Sequence, residues 1–195
     1  MKHIFIDANI FVQFFEMSKE SIRELEKLVT LIKSDEATLW MPEQAKREFW
    51  KNREKNIHKH LKEFENHKAL GAAPLLLREH GRFNELEALA KKADALKAEL
   101  TQSLKGQLSD ESTAADHIIR ELFEAATSID TDDEALFRTA FRRAQCHIPP
   151  GKKDDLGDRL NWVALLEKLP FSADLHIIAD DVDYKSDASS DIHPY

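Results

Sequence analysis

The sequence predicts an α/β protein built on a parallel sheet, with a long α-helical insertion in its middle. Three observations carry this. KHIFIDANIF near one end and LHIIADD near the other are apolar runs of β-branched and aromatic residues that stop abruptly at an acid, the pattern of strands buried on both faces. Helical spacing follows the strand candidates directly, as a β-α-β-α opening requires. From residue 54 to residue 147 the chain then has few β-branched residues and abundant Ala, Leu, Glu and Lys.

The elements follow in order. After the first strand, Asn9 to Phe15 continues apolar. SKESIRELEKLVTLIKSD then places Ile22, Leu25, Leu28, Val29 and Ile32 at helical spacing, with Ser18 or Ser21 as its cap. TLWMP is a short strand stopped by Pro42, which suits the first position of the next helix. Glu48 falls well inside that helix. In the middle, Ile57, Leu61 and Phe64 form one stripe, and Leu86, Leu89, Ala93, Leu96 and Leu100, continuing to Leu104, follow the 3-4 spacing of a coiled-coil-like hairpin. Gly71, Pro74 and Gly81 mark breaks, and Gly106 a stop. Ala115, Ile118, Ile119, Leu122 and Phe123 make a further amphipathic helix, and Leu136, Phe137, Ala140 and Phe141 a last one. No strand is expected in this stretch. The α/β pattern returns with the loop IPPGKKDDLGD, the helix DRLNWVALLEKL and the strand LHIIADD, before a tail, YKSDASSDIHPY, of disorder-like composition.

Bulk properties narrow the function classes. A chain of 195 residues can bury a full core. No apolar stretch approaches the roughly eighteen residues of a membrane span, and the first run lacks a basic leader and cleavage site, so a cytoplasmic protein is expected. The single cysteine, Cys146, excludes an internal disulfide framework and a Cys-rich zinc site; it reads as a partly buried spectator thiol. The net charge of −8 is unlike a nucleic-acid binder as a whole. Much of it comes from the acidic motifs and the tail. The segment KREFWKNREKNIHKHLK is by contrast basic, and Lys46, Arg47, Lys51 and Arg53, with Lys152 and Lys153 near the other end, are candidates for a phosphate track. Trp50 is read as core packing in preference to a base-stacking platform.

The chemistry lies in four acidic motifs: Asp7, Glu48, Asp158, and Asp181 with Asp183. Parallel sheets bind ligands outside the carboxyl ends of their strands, so strands that finish in Asp point at one crevice. Two carboxylates about 4 Å apart repel by roughly 1 kcal/mol even in water, and a cluster of four therefore calls for cations. Mg²⁺ takes oxygen ligands, keeps several waters and bridges to phosphates, which points to metal-assisted phosphodiester chemistry. An Asp at a helix start also has a purely structural use, accepting the orphan N–H groups of the first turn, and for Asp158 both readings stand.

With these blocks in view the chain resembles the PIN domain family, and more closely a PIN-like branch with an extended helical insertion. The matching segments are IDANI, MPEQAKREFWKNR, PPGKKDDLGDRLNWVALLE and IIADDVDY, at both ends of the chain. The resemblance implies a three-layer α/β/α fold with a central parallel sheet: residues 1–53 and 148–195 form the nuclease core and residues 54–147 the helical insertion. It implies an Mg²⁺- or Mn²⁺-dependent endonuclease, with RNA favoured over DNA as substrate. Carried over by position, it puts Asp7, Glu48, Asp158 and Asp181 at the metal site, with Asp183 as a secondary ligand and Asn9 ordering the first motif. Asp154 and Asp155 compete with Asp158 for the third position; Asp158 is preferred because it directly precedes the amphipathic helix. A protein partner such as an antitoxin, and a homodimer, are further partners to be considered.

Other readings compete. A catalytically inactive PIN-like module acting through its helical insertion fits the coiled-coil spacing and the net acidity. Phosphotransfer on a nucleophilic Asp wants a second acid where Asn9 stands. A metal site on His58 and His60 fails because residues two apart on a helix do not share a face.

Overall fold

The computed structural model describes residues 1–15, 19–152 and 155–180. Their elements are β1 (Lys2–Ile6), α1 (Ala8–Gln13), α2 (Lys19–Lys33), β2 (Ala37–Pro42), α3 (Glu43–Asn66), α4 (Leu75–Arg78), α5 (Phe83–Ser109), α6 (Ala114–Ala125), β3 (Thr127–Ile129), α7 (Glu134–Gln145), α8 (Gly157–Lys168) and β4 (Leu175–Ile178). The four strands form one sheet in the order β3-β2-β1-β4. Every pairing is parallel, with His3 opposite both Thr38 and Leu175, and Trp40 opposite Thr127. The sheet sits between helices in three layers. On it α2 packs against α6 and α7 against α8, while α2 and α8 each contact β2.

Burial explains why these segments form these elements. Phe5 and Ile6 of β1 and Leu39 and Met41 of β2 lie in the core with Leu25, Val29 and Ile32 from the apolar stripe of α2 and Ile118, Ile119 and Leu122 from that of α6. Because all strands run the same way, their carboxyl ends share one edge. Asp7, the start of α3, the β3–α7 connection and Asp180 all follow those ends.

The chain divides into two compact units: Met1–Arg53 with Ala114–Tyr195, and Glu54–Thr113. The expected insertion therefore ends at Thr113 rather than at 147. Residues 114–147 belong to the core unit for a physical reason: α6 buries its apolar stripe on α2, and β3 adds to the sheet edge. At three residues, β3 is too short to leave a periodic signal in the sequence. In the second unit the long α5 runs through the expected stop at Gly106 to Ser109, and a Cβ at Gly106 would meet nothing within 4 Å. Cys146, at the end of α7, is exposed.

Candidate acidic site at the carboxyl edge of the sheet

Asp7 follows β1 and caps α1. It is 3% exposed, its side chain accepts a 2.8 Å hydrogen bond from the Ala8 N–H, and its own N–H donates to the Ile178 carbonyl at 2.9 Å. One residue thus ends a strand, starts a helix and ties β1 to β4. Asn9 lies exposed in the first turn of the same helix.

Glu48 comes from the second turn of α3. The neighbouring residue fixes this helix: Phe49 meets Phe11 and Phe123 edge to face, at centroid distances of 6.0 and 5.6 Å. Aromatic rings prefer such offset or T-shaped contacts, and with Phe49 locked the adjacent carboxylate has little freedom. Its Oε2 is buried and has no hydrogen-bond partner. The Glu48 carboxyl is pushed above the ordinary glutamate range, first by burial and then by the negative charges of Asp7 and Asp155, with Lys51 opposing. These are the terms that favour a neutral acid.

A further acid whose charge acts on Glu48 is Asp155. Asp155 accepts hydrogen bonds from the N–H groups of Gly157 at 3.0 Å and Asp158 at 3.4 Å. It therefore performs the capping that the sequence offered to Asp158, and it also charges the pocket. Asp158 follows in the first turn of α8, half-buried. The loop leading up to Asp155 is clasped by Arg159, 1% exposed. Its guanidinium donates to the carbonyls of Ile148 (2.8 Å), Lys152 (2.8 Å), Gly151 (3.0 Å) and Asp155. Gly151, at φ +90°, is needed there: a Cβ would come within 3.2 Å of the Asp155 carbonyl oxygen and the Asp158 Cβ.

A cavity of ≈ 390 Å³ opens at this point, lined by Gln44, Arg47, Glu48, Lys51 and Asn52 from one face of α3 and by Asp155 and Gly157 opposite. A Cβ at Gly157 would stand 3.4 Å from Asp155 Oδ1 and Gln44 Nε2 and 3.5 Å from Glu48 Oε2. The glycine thus leaves a small space open between these polar side chains.

The predicted basic residues separate. Lys51 lines the cavity. Arg47 also lines it but donates to Thr131 at 2.9 Å and pairs with Asp132 at 3.0 Å. Lys46 is held by Glu43 and Ser128. Arg53 is not a phosphate contact. It is 3% exposed and makes a two-point ion pair with Asp116 of α6 at 2.6 and 2.5 Å, because its place on α3 faces inward. Lys152 is exposed and lends its carbonyl to Arg159. Lys153, Asp154, Asp181 and Asp183 lie outside the described residues; the described end of this segment, Asp180, accepts from Gln13 at 3.0 Å. Trp50 packs against Phe49 and Phe123, with the Arg120 guanidinium 4.6 Å above its ring.

Two pocket-lining residues, Gln44 and Asn52, and a buried amide, Asn161, escaped the sequence reading. Gln44 and Asn52 stand four residues either side of Glu48, a helical-face spacing that would have found them. Asn161 is fully buried with both side-chain polar atoms unpartnered; its position amid the apolar residues of DRLNWV was the signal.

Among the described residues no three His, Cys, Asp or Glu side chains form a ready metal-holding group. The chemistry of the donors nevertheless fits a hard cation. An orphaned buried carboxylate oxygen, two further acids acting on it and a glycine-lined gap between them are what a small oxygen-seeking ion would satisfy.

A parallel three-layer α/β/α protein with acids gathered at the carboxyl edge of its sheet is the class that fold and site define. A family model described as a PIN domain matches residues 4–184, and the chain belongs to the PIN domain family. That family lies in a nuclease superfamily whose members typically use divalent metal ions. No curated protein and no solved structure matches the chain. Among the described residues no helix is long and apolar enough to cross a membrane.

Proposed function

We propose that the chain is a metal-dependent endonuclease that hydrolyses phosphodiester bonds, with RNA its preferred substrate. The observation that carries this reading is Glu48: a buried carboxylate oxygen with no partner, facing the charges of Asp7 and Asp155. Such an arrangement is costly in a protein that has no cation to bind. Asp7, Glu48 and Asp155 would hold Mg²⁺ or Mn²⁺, with Asp158, Asp181 and Asp183 as further ligands. The ion, when bound, supplies a water of lowered pKa and a counter-charge for the reacting phosphate.

The chain's own residues set the conditions for this. Raised as it is, the Glu48 carboxyl keeps a proton on an oxygen more readily than an exposed glutamate, which limits repulsion while the site is empty of charge. Asp7 is immobilised by its cap to α1, and the Arg159 clasp fixes Asp155. Lys51 at the cavity wall is the best placed cation for a scissile-strand phosphate, with Arg47 and Lys152 beside it. Lys46, Lys153 and Asn9 are secondary candidates.

The second reading, an interaction module without catalysis, draws on the exposed apolar face of α5. One experiment separates the two. Labelled single-stranded RNA and DNA are incubated with the protein in Mn²⁺, Mg²⁺ or EDTA, beside Asp7→Asn, Glu48→Gln, Asp155→Asn and Asp158→Asn. Metal-dependent cutting that is lost in Asp7→Asn and Glu48→Gln supports the nuclease, and the last two variants rank the third ligand. Cutting no greater than in the variants under every condition removes the nuclease reading.

A further inference from the structure

In the unit Glu54–Thr113, helix α5 is turned inside out. Its inner side is polar: Asp94 accepts from the Ala69 N–H at 2.9 Å, Lys97 donates to the His67 carbonyl and lies 4.9 Å over the Phe64 ring, and Thr101 is buried. Its outer side is a leucine stripe. Leu86, Leu89, Leu96 and Leu100 are 49%, 58%, 55% and 52% exposed, with Ala93 exposed between them. A surface helix normally buries its apolar stripe, and a long exposed one marks an interface.

The spacing 86, 89, 93, 96, 100 is a heptad seam, with Leu86, Ala93 and Leu100 at a and Leu89 and Leu96 at d. Charges beside such a seam choose the partner and its direction. The g positions are Glu85, Lys92 and Glu99, all exposed. The e positions include Ala90, buried, and Lys97, engaged with the unit's own residues. A parallel copy would set g against e and oppose Lys92 to Lys97, two cations. An antiparallel copy sets g against g. Registering Ala93 on Leu96 then brings Lys92 against Glu99 twice, across a two-fold axis, and stacks Leu89 on Leu100. The open flank of each helix meets the open flank of the other, as an isologous interface requires.

We propose that this face of α5 is an antiparallel homodimer seam, its occupant a second copy of the same chain. The inference does not depend on the nuclease reading. Sedimentation velocity on the full chain at micromolar concentration should give a dimer. Leu96→Asp should give a monomer with unchanged circular dichroism, since the residue is exposed within the single chain. Lys92→Glu should weaken the dimer about tenfold, and Lys92→Glu with Glu99→Lys should restore it. A monomeric wild type, or a dimer that survives Leu96→Asp, overturns the proposal. Tightening by Lys92→Glu, which a parallel pair would show, overturns it as well.

Discussion

Removing the carboxylate of Asp116 should be the most damaging single change in the core unit. Its pair with Arg53 is two-point, at 2.6 and 2.5 Å, with side chains 0% and 4% exposed. Truncating one partner of a buried two-point pair removes both charge-assisted hydrogen bonds and leaves the desolvation of the other group less compensated, which costs about 3–5 kcal/mol. For a chain of this length each kcal/mol moves the midpoint by roughly 2–4 °C, so Asp116→Ala should melt on the order of 10 °C early. Replacing both groups, as Arg53→Met with Asp116→Leu, leaves no buried charge and should recover most of the loss. Urea unfolding followed by tryptophan fluorescence gives the free energies, and raising the salt should change them little because the pair is shielded from solvent. A loss below about 1 kcal/mol in Asp116→Ala, or a double variant as unstable as the single, refutes the argument. So does an Arg53→Met protein that keeps its stability but loses affinity for RNA.

Three further outcomes follow from the site. In EDTA, Glu48→Gln should stabilise the fold by on the order of 1 kcal/mol at neutral pH. The folded carboxyl titrates above the unfolded one, so wild type loses stability as pH rises through the folded value; the gap between the variants should close below the ordinary glutamate range, which unfolding curves across acidic pH will check. Asn161→Leu removes two buried unpartnered polar atoms and should raise the midpoint, worth about 1–3 kcal/mol, as calorimetry will check. Arg159→Lys should cost about 2–4 kcal/mol by calorimetry, because one ammonium cannot reach carbonyls that a planar fork of donors holds together.

Much of the fold was legible because burial on both faces writes long apolar runs. β1 and β2 announce themselves in this way; β4, half exposed at the sheet edge, shows as an apolar run all the same, the helices α2, α3, α6 and α8 by one-sided stripes, and with them the family. β3 did not, since three residues in an edge position carry no period. The insertion was drawn too long because an amphipathic helix shows that it has a stripe, not what the stripe meets: α6 reads like the helices before it yet closes on α2. Asp7 and Glu48 stand out in the sequence by where they sit on their elements, one after a strand and one inside the helix that follows the next strand. How Asp155 and Asp158 share the pocket is hidden in the sequence because neighbouring acids in one loop differ only in how the loop turns, and here Arg159 and Gly151 hold that turn. Arg53 looked like its basic neighbours; only the helix phase, a single residue on from the pocket-lining Asn52, sends it inward.

The pairing of β1 with β4 sets the order in which the protein can be finished. Asp7 is made long before Ile178, yet its backbone is fastened to it, and the register runs from His3 with Leu175 to Ile6 with Ile178. Contacts of such sequence separation are slow to form, since the loop they close must be ordered first. Until residues 175–178 have left the ribosome, β1 has a neighbour on one side only and the acidic edge is half built. A growing chain therefore lacks the finished acidic edge for as long as β4 is unmade.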